Sequence, residues 1–118
     1  MVKDKDRIKR MGWTVYLVEC IDGTYHGGMA RDLEKEMVEI NVIKSGWFFR
    51  HQDKTPVKVV FQDPNLPFRE AFAKKCYLID MNRRQRRKLI QSQKWNNSWM
   101  LYHNGFRCLP RAKGQRQR

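Results

Sequence analysis

The sequence predicts a small mixed domain, α/β in content and α+β in arrangement, on three observations. Two β-rich segments flank an Asp-Gly turn at Asp22-Gly23. A helical stripe opens behind a capping aspartate, Asp32. A third β-rich run, Val57 to Phe61, precedes two more helical patterns. With 118 residues, 41% of them hydrophobic, the chain has enough material for one modest core and an appendage.

The elements follow in order. Residues 1–11 alternate charges with little apolar content and read as a loose N-terminal arm. Trp13 to Cys20 reads as the first strand, Ile21-Asp22-Gly23-Thr24 as its turn, and the second strand runs to about Met29. Asp32 caps a helix that places Leu33, Met37, Ile40 and Lys44 on one face, and Gly46 is expected to end it. Pro56 leads into the third strand, and Asp63-Pro64-Asn65-Leu66-Pro67 is expected to break structure. Phe68, Ala71, Phe72 and Ile79 fit the stripe of a second helix. Asn82 caps a third, whose apolar contribution is Leu89-Ile90. Trp95, Trp99, Tyr102 and Phe106 then crowd together, and Asn104-Gly105 signals a hairpin. The expected organisation is an arm at 1–11, a domain at 12–92 and a basic, aromatic extension at 93–118.

The net charge of +13 is unevenly spread. Residues 1–68 carry 11 Lys/Arg against 10 Asp/Glu, whereas residues 69–118 carry 14 against 2. A field of that kind attracts polyanions, and DNA or RNA is the expected partner. The candidate contacts are Arg83, Arg84, Arg86, Arg87, Lys88 and Lys94, then Arg107, Arg111, Lys113, Arg116 and Arg118 in the tail. The four aromatics of the extension either stack on unpaired bases or close the domain as a cap, and for at least two of them the cap is the expectation.

Other classes fit poorly. No apolar run approaches the length of a membrane span, and the charged N-terminus leads into no signal-like stretch. Cys20, Cys76 and Cys108 are odd in number and in no CxxC pattern, which suits free thiols in an intracellular, reducing compartment. His26, His51 and His103 lack the spacing of a metal site, and Gly27-Gly28 lacks that of a phosphate loop.

Several of these segments share one register with a known family. Val15-Tyr16-Leu17, Asp22-Gly23, Gly28, Asp32-Leu33-Glu34, Asn41, Pro56 to Phe61, Glu70-Ala71-Phe72 and Leu89-Ile90 together resemble the GIY-YIG nuclease domain in its small stand-alone form. The resemblance covers roughly Gly12 to Gln91. It implies a three-stranded antiparallel sheet flanked by helices, to which this chain adds the basic, aromatic extension.

That resemblance also implies a chemistry: water attack assisted by tyrosine, one divalent cation on a glutamate, and an arginine that steadies the phosphate. Tyr16 keeps the first tyrosine, while Thr14 stands for its glycine and His26 for the second tyrosine. Glu36 stands for the arginine, Ile40 for a histidine and Lys75 for the metal-binding glutamate. An ammonium cannot ligate magnesium, and a carboxylate repels phosphate. Tyr16, His26, Glu36 and Lys75 are therefore read as vestigial catalytic positions, with Glu36 and Lys75 expected to face each other as a charge-swapped pair.

The function expected is nucleic-acid binding on a nuclease-like domain with impaired or absent cleavage, within a larger nucleoprotein complex and without a cofactor. One alternative is an active structure-selective endonuclease using Tyr16 and His26 with Mg²⁺ or Mn²⁺. Another is a structural RNA-binding subunit of a ribonucleoprotein. An acidic protein partner is a further possibility.

Overall fold

The most apolar strand takes the centre of the sheet. In the computed structural model, which describes residues 12–103, β1 (Trp13–Glu19) lies between β2 (Tyr25–Ala30) and β3 (Lys58–Leu66), antiparallel to both. Thr14 to Val18 are all buried, so both faces of β1 are covered. Side chains alternate across a strand, and two cores result. Val15 and Leu17 join Phe61, Ala71, Tyr77, Leu78 and Leu89 on one face, while Tyr16, Val18 and Cys20 join Ile40, Phe48 and Val57 on the other. The expected α+β architecture, a three-stranded antiparallel sheet with flanking helices, is what the chain adopts.

The turn chemistry works as expected. Gly23 takes a φ of +86°, and Asp22 accepts from both the Thr24 backbone and its hydroxyl. Asp32 caps α1 (Leu33–Val38) by accepting from the Lys35 N–H at 3.1 Å. A π-helical turn at Glu39–Ile43 continues it, and Ile40 reaches the core. The end comes earlier than Gly46. Lys44 itself turns left-handed, at φ +62°, and its ammonium donates to the Thr55 hydroxyl at 2.6 Å. Gly46 opens a 3₁₀ turn at Gly46–Phe49 instead. Asn41 latches this helix to β3: its amide donates to the Val57 carbonyl and accepts from the Val57 N–H.

β3 is longer than the sequence suggests. Asp63-Pro64-Asn65-Leu66 continues the strand rather than breaking it. The partners of Trp13 and Val15 are Leu66 and Asp63, so an extra residue bulges out of β3 at this point. β3 is an edge strand, where a missing proline N–H costs no ladder bond, and Asn65 supplies the positive φ of +62°.

α2 (Phe68–Asp80) and α3 (Arg83–Ser92) follow. The stripe expected for α2 is rotated. Ala71 is buried as foreseen, but Ala73, Lys74, Tyr77 and Leu78 complete the inner face, leaving Phe68 and Ile79 exposed. Leu78 packs so closely on β2 that a Cβ at Gly27 would lie 3.1 Å from it. Asn82 and Gln85 form the reciprocal capping box of α3.

A short helix, α4 (Trp99–His103), occupies the stretch where the hairpin signal begins. Trp95, Trp99 and Tyr102 pack on the α2 side of the core. Trp95 meets Phe61 edge to face, and Tyr102 donates to Asp80 at 2.6 Å. Asn104-Gly105, Phe106 and the tail cations from Arg107 to Arg118 lie outside the described residues, as does the arm.

Candidate functional site

The register of β1 against β2 assembles the first part of the site. Tyr16 pairs with Gly28 and Val18 with His26, so the side chains of Tyr16 and His26 project from the same face as diagonal neighbours. The Tyr16 ring lies across Gly28. A Cβ built there would overlap the phenol, with Cζ only 2.6 Å away, so only glycine leaves room for the ring. α1 closes over the other side. Tyr16 donates its hydroxyl proton to Glu36 Oε2 at 2.7 Å. Burial, and secondarily the Glu36 carboxylate, push the Tyr16 hydroxyl pKa well above the ordinary tyrosine range. At 2% exposure this phenol is a sealed, protonated donor and a poor proton acceptor.

His26 sits in an aromatic stack. Its ring lies 4.8 Å from Trp47 at 23°, Trp47 lies 3.8 Å from His51 at 16°, and Phe48 meets His26 edge-on. The 3₁₀ turn holds Trp47 and Phe48 there. Burial first, then the positive charge of Arg86, Lys75 and His51, lowers the His26 pKa to about 4. The imidazole is neutral at pH 7, yet its basicity is far from the operating pH that suits a general base.

Glu36 and Lys75 do not form the expected ion pair: the Glu36 carboxylate accepts from Tyr16, whereas the Lys75 ammonium lies on the Phe72 ring, 5.2 Å from its centroid. Its charge still acts on His26. Of the four positions expected to be catalytic remnants, Tyr16 and Glu36 are in contact, His26 shares the Tyr16 face, and Lys75 meets His26 only through its charge. Among the described residues no three His, Cys, Asp or Glu side chains converge as metal ligands.

The second part of the site is α3. Arg83, Arg84, Arg87 and Lys88 are exposed, and none forms an ion pair with a described carboxylate. Arg83 lies over the Tyr25 ring of β2 at 5.7 Å. A cavity of about 340 Å³ opens between Tyr25 and Arg87, Ile90 and Gln91. A second, of about 360 Å³, is bordered by Gln85, Lys88, Lys94, Trp95 and Asn96. Arg86 differs from its neighbours: its guanidinium donates to the carbonyls of Leu78 and Ile79, closing the C-terminal end of α2.

Sequence reasoning missed one polar centre entirely. Lys74 is 6% exposed, pairs with Asp63 at 2.8 Å and Glu70 at 2.9 Å, and lies 5.2 and 4.7 Å from the Trp95 and Trp99 rings. Trp95 donates to the same Asp63 oxygen at 2.8 Å. The Glu70–Lys74 spacing was legible as a helical i,i+4 pair. The bulge that delivers Asp63, and the return of the two tryptophans, had no local signature.

With this geometry in view, comparison with known proteins adds one likeness. Two curated UPF0213 proteins, from two strains of Staphylococcus epidermidis, are each 29% identical to the chain over 77 residues. The match covers 65% of this chain and 92% of each relative. The chain is distantly similar to UPF0213 proteins. No family model matches it, and no solved structure is significantly similar. No helix among the described residues is long and apolar enough to cross a membrane.

Proposed function

We propose that this chain binds nucleic acid on a degenerate GIY-YIG-like domain that no longer cuts. The observation that carries the reading is the ridge of α3, where Arg83, Arg84, Arg87 and Lys88 face solvent without an acidic partner among the described residues. Exposed cations displace condensed counterions from phosphates, and that exchange drives binding. The cutting half of the family's chemistry is opposed at each position. The Tyr16 hydroxyl is engaged by Glu36, whose carboxylate repels phosphate where an arginine would attract it. Lys75 offers no oxygen to a divalent cation. The likeness to UPF0213 proteins supports the domain and is silent on the activity.

The test uses the full chain with duplex DNA, branched DNA and structured RNA, titrated by fluorescence anisotropy across a salt series. Log affinity is expected to fall steeply with log salt. Reversing two ridge charges (Arg84→Glu with Arg87→Glu) should lower the slope by about 2 or more. The same substrates incubated with Mg²⁺ or Mn²⁺ should stay intact. Metal-dependent cleavage abolished by Tyr16→Phe would establish the endonuclease instead, and preference for structured RNA would favour a ribonucleoprotein subunit.

A further inference from the structure

The rotation of α2 leaves a face that folding does not use. Phe68, Phe72, Lys75 and Ile79 recur at i, i+4, i+7 and i+11, the spacing of a single helical stripe. The inner face of α2 is already filled by Ala71, Lys74, Tyr77 and Leu78. On the outer stripe Phe68 is 46% exposed and Ile79 47%. Phe68 and Phe72 lie nearly parallel, at 16° with centroids 6.0 Å apart, and Trp13 of β1 meets Phe68 edge to face at 5.4 Å. The result is a three-ring surface at one end of the sheet.

Cations border these rings. Lys75 Nζ rests on Phe72, and Arg69, next to Phe68 in sequence, is exposed. The described carboxylates closest in sequence are engaged elsewhere: Glu70 holds Lys74 and Asp32 caps α1. An occupant of this surface must therefore offer flat apolar faces together with negative charge. Residues 1–11 are a poor match, with five Lys/Arg against two Asp. A second copy of the chain would bring the same positive charge to the contact.

We propose that the outer face of α2, Phe68 and Phe72 with Trp13, is a stacking platform for unpaired nucleotides whose phosphates meet Arg69 and Lys75. This reading rests on the nucleic-acid function proposed above and names the form of nucleic acid taken. Base–aromatic stacking tolerates any base, and neighbouring cations track the strand. Inserting a base between two rings requires about 6.8 Å, twice the 3.4 Å rise per base. With centroids 6.0 Å apart the two rings leave no room for that, so the base meets the exposed part of Phe68. A base that reaches Phe72 displaces the Lys75 ammonium from the ring, toward the phosphate that follows. A paired base keeps its faces inside the duplex and gains nothing here.

The experiment titrates the full chain against fluorescein-labelled oligothymidylate and oligouridylate of about 20 nucleotides, and against a duplex of equal length. Phe68→Ala should weaken single-strand binding about fivefold or more, and the double variant with Phe72→Ala up to about a hundredfold. Duplex binding should change by less than about twofold. Phe68→Trp restores a stacking ring without removing packing; it should keep single-strand affinity, and oligonucleotide should quench its added fluorescence. Thermal melts report whether each variant folds, and the Phe68→Trp result stands even if the alanine variants do not. Unchanged single-strand affinity in Phe68→Ala, or an absence of quenching in Phe68→Trp, overturns the platform. So does poly-glutamate binding that depends on the same rings. If the α3 charge reversals still weaken nucleic-acid binding while the ring variants do nothing, the platform falls and the general function stands. A wild-type chain that binds no oligonucleotide ends both.

Discussion

His26 makes stability depend on acid in a calculable way. An unfolded histidine titrates near 6.5, while in the folded chain burial beside Arg86, Lys75 and His51 lowers the value to about 4. The folded state then binds fewer protons than the unfolded state at any pH between these values. Stability is complete above about pH 6.5 and declines as the pH falls toward 4. With those two values the loss is about 2 kcal/mol at pH 5 and about 3 kcal/mol once both states are protonated. In urea, a 2 kcal/mol loss moves the unfolding midpoint down by about 1–2 M. Asp22 acts in the same direction but in a lower window. Its hydrogen bond from Lys54, then those from Thr24, depress the carboxyl, so its contribution is lost only below the ordinary value near 3.8. His26→Phe isolates the effect, because a phenyl ring still stacks on Trp47 and does not titrate. Urea unfolding followed by tryptophan fluorescence from pH 8 to about pH 4.5 should show wild type losing stability faster than His26→Phe. Parallel curves for the two proteins would refute the depressed imidazole and its burial in the stack.

Other expectations are equally direct. Gly28→Ala drives a methyl into the Tyr16 ring and should cost about 1–3 kcal/mol by thermal or urea unfolding. Combining it with Tyr16→Leu should recover part of that loss, as a coupled pair in contact does. Asn41→Ala strands the N–H and the carbonyl of Val57 together and should cost about 1–3 kcal/mol in the same assay. Lys74→Met removes the cation between Asp63 and Glu70 and should destabilise by about 3 kcal/mol, with a shift in tryptophan emission as Trp95 and Trp99 lose their neighbour.

Local chemistry was legible wherever a residue acts on its own neighbours. The Asp22-Gly23 turn, the Asp32 cap and the Asn82 cap each need only residues within three positions, and each formed as expected. Apolar and β-branched content likewise gave β1 its place as a strand. Failures came where distant partners decide the outcome. Pro64 and Asn65 look like breakers until an edge position and a bulge against Trp13 make them strand residues. The Phe68–Ile79 stripe looks like a core face until Ala73, Lys74, Tyr77 and Leu78 take the inner side of the helix with Ala71. Lys44 looks like the last member of the Leu33–Met37–Ile40 helical face until a left-handed turn ends the helix there and Thr55 receives its ammonium.

The same division runs through the site. Composition alone concentrated positive charge after residue 68, because charge is a property of residues and not of their arrangement. The sequence also set the order of elements and placed tyrosine, histidine, glutamate and lysine at Tyr16, His26, Glu36 and Lys75. Only the tertiary structure decided which of these meet. Strand register carries Tyr16 and His26 to one face, α1 brings Glu36 onto the phenol, and α2 holds Lys75 on the Phe72 ring. Contacts of that kind depend on register and helix rotation, which long-range packing sets. For that reason the basic ridge could be read from the chain, and the sealed tyrosine could not.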